Sequence, residues 1–175
     1  GTIAGIWRKE DGKDDCLGMT ARENMVGGCL SCYGSRTNIV LYNDLTKTVD
    51  ELTLQKQEVG TEDEWILSKK GMMIKPEGRF FSPGNAKSMK YNKGYRDCIQ
   101  YWAKNGYTLR YSGGMAPDCF HVFMKGEGIF SSVSYPGKVK PKLRFLYEVA
   151  PIAFLCEKAG GSSSDGKISI LDVVC

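Results

Sequence analysis

Histidine is nearly absent from this sequence: His121 is the only one among 175 residues. Hydrolases that use a serine or cysteine nucleophile need a nearby general base, usually a histidine. His121 lies between Cys119 and Phe123 on a short apolar stretch, where a structural role is the favoured interpretation. The chain also lacks any apolar run near the roughly 20 residues that a membrane helix needs. These two shortages argue against a nucleophile–histidine hydrolase and against a membrane partner.

A concentrated charge of one sign is also missing. The 24 cationic residues are interspersed with 20 acidic residues, and the net charge is only +4. Nucleic-acid binding usually requires a denser basic patch with aromatic residues for stacking, so no nucleic-acid partner is expected. With 42% hydrophobic and 25% charged residues, the composition is typical of a globular chain with one domain or two small lobes.

The seven cysteines do not form a dense disulfide framework. Their odd number and scattered spacing favour free thiols in a reducing compartment, with cytoplasm and plastid both open. The one close pair is Cys29 and Cys32, in a small-residue stretch that predicts a helix near 20–34. A zinc site would need a second ligand pair, so two ordinary helix side chains are favoured over a metal or redox motif.

Both ends of the sequence are apolar and resemble strands. Residues 1–7 alternate as a strand does and do not begin with methionine, and 171–175 form another apolar run. Domains rarely begin and end within core strands, because the segments that cover those strands would be missing. We therefore expect this chain to be one piece of a larger protein.

The pattern of apolar residues predicts two lobes, 1–78 and 79–175. In the first lobe it predicts strands near 1–7, 37–42, 51–55 and 64–67, an acidic loop at 10–15 and the helix near 20–34. In the second lobe it predicts helices near 86–104, 117–125 and 148–159 and strands at 107–112, 128–134, 140–146 and 168–174. Such alternation predicts a layered sheet with helices on its faces.

A glycine-rich turn at 110–118 has features of an anion site. Arg110 and Tyr111 end a predicted strand, Gly113 and Gly114 follow, and a helix is predicted from Pro117. Free N–H groups at a helix start, with an arginine nearby, are suited to phosphate groups or hydroxyls. A plain turn is the alternative for the two glycines.

The segment 138–148 joins cations to a carboxylate. If it is a strand, its alternating cations lie on one face: Lys138, Lys140, Lys142 and Arg144. A phosphorylated ligand and a solvated edge strand explain that row equally well. Glu148 lies where the strand meets the next helix, a suitable position for a metal beside an anionic substrate. One carboxylate cannot hold a metal by itself, so Glu148 needs further ligands.

The sequence Phe-Ser-Pro-Gly-Asn at 81–85 predicts a turn that leads into a helix. Asn85 has two interpretations: it caps that helix, or it directs its amide at a ligand. Capping is the favoured interpretation from the residues alone.

Taken together, these segments resemble the class I fructose-1,6-bisphosphatase and sedoheptulose-1,7-bisphosphatase family of lithium-sensitive sugar phosphatases. The resemblance rests on motifs that occur in family order over nearly the whole chain: 1–7, 33–35, 81–85, 110–115, 117–118, 128–130, 142–148, 157–161 and 171–172. Within the family, 107–118, 81–85, 148–151 and 163–166 are more similar to the sedoheptulose branch.

The resemblance implies an α+β, layered α-β-α sugar phosphatase fold. Residues 1–78 would be the remainder of an N-terminal lobe with a mostly antiparallel sheet. Residues 79–175 would be a C-terminal substrate-binding lobe with a mixed sheet and flanking helices. It also implies a homodimer or homotetramer that acts on a sugar bisphosphate.

The resemblance also assigns roles to individual residues. Glu148 matches a catalytic, metal-binding glutamate, and Lys142 matches a lysine that reaches the sugar and its distal phosphate. The matches to distal-phosphate ligands are Asn85, Tyr111 and Arg110, and the arginine would cross to a neighbouring subunit. Gly114 and Met115 match the backbone turn that holds sugar hydroxyls.

Two family tyrosines are not matched. Their places fall near Lys87 or Ser88 and at Ser132, and we expect Lys87 to replace one aromatic phosphate ligand. The smaller Ser132 would leave room for a seventh carbon. These departures favour sedoheptulose 1,7-bisphosphate, hydrolysed at its 1-phosphate, over the alternatives: fructose 1,6-bisphosphate as the substrate, or a non-catalytic sugar-phosphate binding module.

The family's acidic metal motif is absent and would end just before Gly1. That motif supplies most ligands for two or three Mg²⁺ ions, which activate water and neutralise the phosphate. Without it, we expect these 175 residues to provide the substrate-recognition half of the site and to be inactive alone.

Overall fold

Two sheets follow one another along the chain, with helices packed against them. The computed structural model describes residues 1–9, 12, 15–56 and 62–175. The acidic loop predicted at 10–15 lies outside these described residues, apart from positions 12 and 15.

The first sheet is antiparallel, and its five described strands are neighbours in sequence order. They are β1 (Thr2–Trp7), β2 (Met25–Cys32), β3 (Thr37–Asn43), β4 (Thr48–Gln55) and β5 (Glu64–Lys69). Strands that follow one another in sequence usually become neighbours in a sheet, and short connections between them make the pairing antiparallel. The strands predicted at 1–7, 37–42, 51–55 and 64–67 are confirmed.

The helix predicted near 20–34 is wrong over most of its length. Only α1 (Ala21–Asn24) is helical, and the chain then enters β2, which pairs with both β1 and β3. A central strand buried on both faces reads as a continuous apolar run, which periodicity cannot separate from a buried helix. Cys29 and Cys32 are three residues apart in this strand and therefore face opposite sides of the sheet.

The second sheet is parallel, with β6 (Phe80–Gly84) between β7 (Thr108–Leu109) and β8 (Ile129–Ser132). Parallel strands require crossover connections, and α2 (Lys93–Lys104) and α3 (Met115–Lys125) provide them. A 3-10 turn at Ala86–Lys90 precedes α2. The predicted α+β class, with an antiparallel first sheet and a second sheet flanked by helices, is confirmed. The second sheet was predicted to be mixed, and that is wrong for the described strands, because both of its pairings are parallel.

The strands predicted at 140–146 and 168–174 are wrong. Phe145–Val149 forms a π-helical turn that leads into α4 (Ala150–Lys158), and Ile170–Asp172 forms a 3-10 turn. Pro141 has no N–H to donate to a strand ladder. The Ser169 hydroxyl accepts the N–H of Leu171 at 3.1 Å, a local bond that favours a turn over a strand.

The main hydrophobic core is shared by the two sheets. Leu30 and Val40 of the first sheet pack in one cluster with Phe80, Phe123 of α3 and Leu155 of α4. The change of sheet falls between β5 and β6, and the lobe boundary at 78/79 stays a prediction. None of the helices in the described ranges is long and apolar enough to cross a membrane.

Candidate active site

The carboxyl ends of three parallel strands meet at one edge of the second sheet. β6 lies in the centre, so the chain leaves β6, β7 and β8 from the same edge. Ligands of layered α/β sheets bind in the crevice outside such an edge. Four predicted site residues follow these strands directly: Asn85 and Lys87 after β6, and Arg110 and Tyr111 after β7.

Asn85 is the most constrained of these residues. Its backbone is in the left-handed region, with φ of 54°, and the residue is only 7% exposed. Its Nδ2 donates to the carbonyl of Val133 at 2.8 Å, and its Oδ1 is buried without a hydrogen-bond partner among the described residues. Although it occupies the cap position of the 3-10 turn, its side chain makes no cap bond. The capping interpretation is therefore wrong.

The Val133 carbonyl also fixes which way the Asn85 amide points. A carbonyl can only accept, so it selects the Nδ2 side of the amide. The Ser88 hydroxyl donates to the same carbonyl. These two bonds join the loop after β6 to the end of β8. Lys87 lies between them in sequence and is exposed on the 3-10 turn.

Arg110 is tied to β6 by its main chain. Its N–H donates to the Phe81 carbonyl at 2.9 Å, and its own carbonyl accepts from the buried hydroxyl of Ser82. Arg110 borders a small cleft of about 100 Å³, together with Phe80 and with His121 and Lys125 of α3. Arg110 therefore lies next to α3, near a second cation, Lys125.

Tyr111 points to the other side of the sheet, as alternation along an extended chain requires. Burial raises the pKa of Tyr95, its hydrogen bond to Ser131 opposes that effect, and the nearby Tyr111 hydroxyl raises the pKa further. The Tyr95 hydroxyl donates to the Gly84 carbonyl at 2.7 Å, immediately before Asn85. Tyr95 of α2 thus lies near Tyr111 and contacts the backbone next to Asn85.

The turn at Gly113 and Gly114 is held by a buried acid, Asp118. Gly113 has a φ of 90°, and Gly114 is the residue before Met115, where α3 begins. Asp118 is fully buried, its Oδ1 accepts the N–H of Ser112 at 2.7 Å, and its Oδ2 has no described partner. Asp118 has no role among the predicted site residues, although an acid in the first turn of a helix signals stabilisation of that helix start.

Glu148 lies in the π-helical turn before α4, and that turn packs against β1. Its Oε2 accepts the main-chain N–H of Arg144 at 2.7 Å, and its Oε1 lies 3.1 Å from the Arg144 guanidinium. The Glu148 side chain is 18% exposed and that of Arg144 is 59% exposed. The predicted position of Glu148 at the start of a helix is confirmed, and both carboxylate oxygens are engaged.

The predicted row of aligned cations does not form. With no strand at 140–146, Lys138, Lys140, Lys142 and Arg144 do not alternate along one face. Lys142 is exposed in the irregular segment before the π-helical turn, and Arg144 pairs with Glu148. The structure thus does not bring Lys142 to the strand position from which the row was inferred.

The described residues do not by themselves fit a magnesium ion. Mg²⁺ prefers near-octahedral oxygen coordination and commonly uses carboxylates. Glu148 is already paired with Arg144, and within the described ranges no three acidic, cysteine or histidine side chains come together as metal ligands.

Comparison with known proteins places the chain in a family. The sequence profile of the fructose-1,6-bisphosphatase C-terminal domain matches residues 74–175. The chain is 42% identical to the chloroplastic sedoheptulose-1,7-bisphosphatase of Spinacia oleracea and 36% identical to the class 1 fructose-1,6-bisphosphatase of Geobacter sulfurreducens. Each alignment covers 99% of this chain, but only 42% and 51% of the respective relative.

Solved structures are similar over the same extent. The crystal structure assigned as a sedoheptulose-1,7-bisphosphatase of Toxoplasma gondii superposes with a TM-score of 0.83 at 31% identity. The T-state fructose-1,6-bisphosphatase of Leishmania major gives 0.83 at 28% identity. Both matches cover 99% of this chain and 57% and 56% of those chains. The chain spans about half the length of the relatives it matches, and it belongs to the fructose-1,6-bisphosphatase family.

Proposed function

We propose that the complete protein is a Mg²⁺-dependent sugar bisphosphatase that hydrolyses the 1-phosphate of sedoheptulose 1,7-bisphosphate. This chain supplies the substrate-recognition half. The observation that carries the proposal is the shared edge at the carboxyl ends of β6, β7 and β8, where Asn85 follows β6 and Tyr111 follows β7. In this family, a polar crevice at that edge is suited to a phosphorylated sugar.

The groups around the crevice have the chemistry that a phosphate monoester needs. A dianionic phosphate accepts hydrogen bonds and favours cations and hydroxyl donors. Tyr111 offers a hydroxyl, Lys87 an exposed ammonium group, and Asn85 the second hydrogen of its Nδ2. Gly114 and Met115 present main-chain groups at the start of α3, which suit sugar hydroxyls or a phosphate oxygen.

Arg110 has a different role from Asn85 and Tyr111 in binding the substrate. It is exposed and borders the same cleft as His121 and Lys125 of α3. This exposure supports a role at the site of a neighbouring subunit in a homodimer or homotetramer. Lys142, exposed before the π-helical turn, would reach the sugar and its distal phosphate from the Glu148 side.

Glu148 is the one metal-ligand candidate that we assign in this chain. The ligands that accompany it belong to an N-terminal segment of the same protein, where the family's acidic motif is expected. When present, two or three Mg²⁺ ions would activate water and neutralise the phosphate. Because this chain does not fit the metal alone, it is expected to bind the substrate without hydrolysing it.

Two other functions each have a specific observation in their favour. Hydrolysis of fructose 1,6-bisphosphate is supported by the 36% identity to a bacterial class 1 enzyme of that name. A non-catalytic sugar-phosphate binding module is supported by the pairing of Glu148 with Arg144, which leaves the carboxylate engaged. The small Ser132 beside Gly84 favours the seven-carbon sugar over the six-carbon sugar.

Calorimetric titration of the chain tests the recognition role. We expect sedoheptulose 1,7-bisphosphate to bind more tightly than fructose 1,6-bisphosphate, and both to bind more tightly than inorganic phosphate. Tyr111→Phe should weaken bisphosphate binding, whereas Tyr101→Phe, an exposed tyrosine on α2, should not. Binding of neither bisphosphate at millimolar concentration would remove the recognition role.

A phosphate-release assay and the complete transcript separate the remaining alternatives. The chain alone should show no Mg²⁺-dependent phosphate release above background, and release would contradict the half-site proposal. An upstream Asp-Pro-x-Asp-Gly-Ser-Ser sequence is expected in the transcript, and its absence would favour the binding module. For the complete protein, the ratio of kcat/KM for sedoheptulose 1,7-bisphosphate to kcat/KM for fructose 1,6-bisphosphate shows which of the two sugars is the preferred substrate.

A further inference from the structure

The hydroxyl of Tyr95, on the first turn of α2, reaches the ends of two strands of the second sheet. Tyr95 is only 5% exposed, and its hydroxyl donates to the Gly84 carbonyl at 2.7 Å. A tyrosine hydroxyl has one hydrogen, so the Ser131 hydroxyl, 3.1 Å away, donates to the Tyr95 oxygen. Gly84 is the last residue of β6, and Ser131 is the residue before the end of β8. One buried side chain of α2 therefore joins both strands at their carboxyl ends.

The start of α2 holds Tyr95 in this position. The side chain of Asn92, the residue before the helix, accepts the N–H of Tyr95 at 3.0 Å and so caps the helix start. The adjacent Arg96 guanidinium donates to the Met89 carbonyl of the 3-10 turn at 2.9 Å. The first turn of α2 is thus tied to the segment that follows Asn85.

The bonds of Tyr95 lie where the sheet ends and the recognition residues begin. Gly84 and Ser132 are the last paired residues of β6 and β8. Asn85 follows with a left-handed backbone, so the chain turns away from the sheet directly after the carbonyl that Tyr95 holds. A β carbon on Gly84 would lie 2.8 Å from the Ser131 carbonyl oxygen, closer than a side chain tolerates. The two strand ends are therefore in close contact, and a hydroxyl bonded to both controls their spacing.

We propose that Tyr95 is a positioning residue for bisphosphate recognition, which sets the spacing between Asn85, at the phosphate, and Ser132, at the sugar chain. A bisphosphate that spans both segments binds best when their spacing matches the length of its carbon chain. The hydroxyl does not need to touch the substrate for this role. The inference rests on the proposed function, because it gives Tyr95 a part in that recognition. A tyrosine that only fills the core would leave the choice between the two sugars unchanged.

Tyr95→Phe keeps the buried ring and removes only the hydroxyl. The Gly84 carbonyl and the Ser131 hydroxyl then lose their shared partner, so the strand ends are no longer held at one spacing. In calorimetric titrations of the chain, we expect the affinity for sedoheptulose 1,7-bisphosphate to fall roughly 10-fold, the effect of one lost buried hydrogen bond. The affinity for fructose 1,6-bisphosphate should fall less, so the ratio of the two affinities decreases. Tyr101→Phe, an exposed tyrosine on the same helix, should change neither affinity.

Ser131→Ala tests the link to β8 separately, and it also serves if Tyr95→Phe folds poorly. In this variant Tyr95 still donates to Gly84, so Asn85 keeps its position and the affinity for fructose 1,6-bisphosphate should be retained. The preference for the seven-carbon sugar should still decrease, because the end of β8 is no longer held. Urea denaturation establishes that each variant is folded at the temperature of the titrations.

The outcomes separate this inference from the proposed function. If the native chain binds both bisphosphates and the ratio of the two affinities is unchanged in Tyr95→Phe and Ser131→Ala, Tyr95 is a structural residue and the inference is wrong, while the proposed function stands. An equal loss of affinity for both sugars would overturn it in the same way. If the native chain binds neither bisphosphate, the recognition role fails and this inference fails with it.

Discussion

The main-chain N–H of Arg144 and its guanidinium both bind the carboxylate of Glu148, at 2.7 Å and 3.1 Å respectively. The acid thus folds back over four residues and closes the π-helical turn that precedes α4. This arrangement explains why the segment before Glu148 is a turn instead of the predicted strand. The ion pair between Glu148 and Arg144 must therefore open before that carboxylate oxygen can bind another cation.

Replacing Glu148 tests which of the two bonds stabilises the turn. Glu148→Ala should lower the free energy of unfolding by about 1 kcal/mol, because the Arg144 N–H loses its acceptor. Arg144→Ala removes only a largely exposed ion pair, worth about 0–1 kcal/mol, and should cost less. Urea denaturation of both variants, with Glu148→Gln as the conservative control, measures the difference. A larger loss for Arg144→Ala would show that the ion pair is the main contributor.

Asp118 should stabilise both the fold and the recognition turn. Asp118→Ala leaves the Ser112 N–H without its acceptor and should cost about 2 kcal/mol of stability. Since Ser112 lies between Tyr111 and Gly114, the same change should weaken bisphosphate binding. Asp118→Asn keeps the acceptor and should retain more of both properties. Chemical denaturation and calorimetric titration provide the measurements, and equal losses in the two variants would contradict a hydrogen-bonding role.

Lys87 and Ser132 are predicted to set phosphate affinity and substrate length. Lys87→Ala should weaken both bisphosphates, whereas Lys90→Ala on the same 3-10 turn should not. Ser132 pairs with Gly84 at the end of the sheet, so a tyrosine there would occupy space beside the crevice. Ser132→Tyr should reduce the preference for the seven-carbon sugar by roughly 10-fold, the typical size of a steric discrimination. Unchanged relative affinities in both variants would remove these assignments.

Asp50 should make the stability of the first sheet depend on acid pH. Burial alone would raise the pKa of Asp50, but the Gly71 N–H and the side chains of Thr48 and Asn43 donate to it and lower its pKa. A carboxyl with a depressed folded-state pKa contributes stability above its unfolded pKa, near 3.9, and loses it as the pH falls through the folded pKa. Denaturation between pH 2 and pH 6 should therefore show a slope that is smaller in Asp50→Asn. An identical slope in the variant would assign the acid dependence to other carboxyls.

Much of the candidate site could be predicted from local sequence. Glu148 was placed at a helix start because Pro151 is suited to the first turn and the next residues are apolar. The turn at Gly113 was recognisable because paired glycines before a helix leave free N–H groups. The direction of a side chain at a sheet edge was harder to predict. Arg110 and Tyr111 are adjacent, and only the position of α2 and α3 shows what each one faces.

Hydrogen bonds between distant segments account for the remaining errors. The Asn85 amide was expected to cap a helix, but the Val133 carbonyl, 48 residues away, accepts its donor. The role of Asp118 depends on the turn at Ser112, which its own position does not reveal. Both groups are buried, where an unsatisfied donor or acceptor is costly, so tertiary partners outweigh local preferences.

The sequence by itself determined the family, the α+β class, most strands of the first sheet and the helix that follows Glu148. Those features rest on local motifs and on apolar periodicity, which are properties of neighbouring residues. Only the tertiary structure decided that Met25–Cys32 is a central strand and that residues 140–146 are not a strand. The reason is that a strand exists only when neighbours accept and donate its hydrogen bonds: β1 and β3 do so for β2. At 140–146, Pro141 and the bond between Arg144 and Glu148 favour a turn.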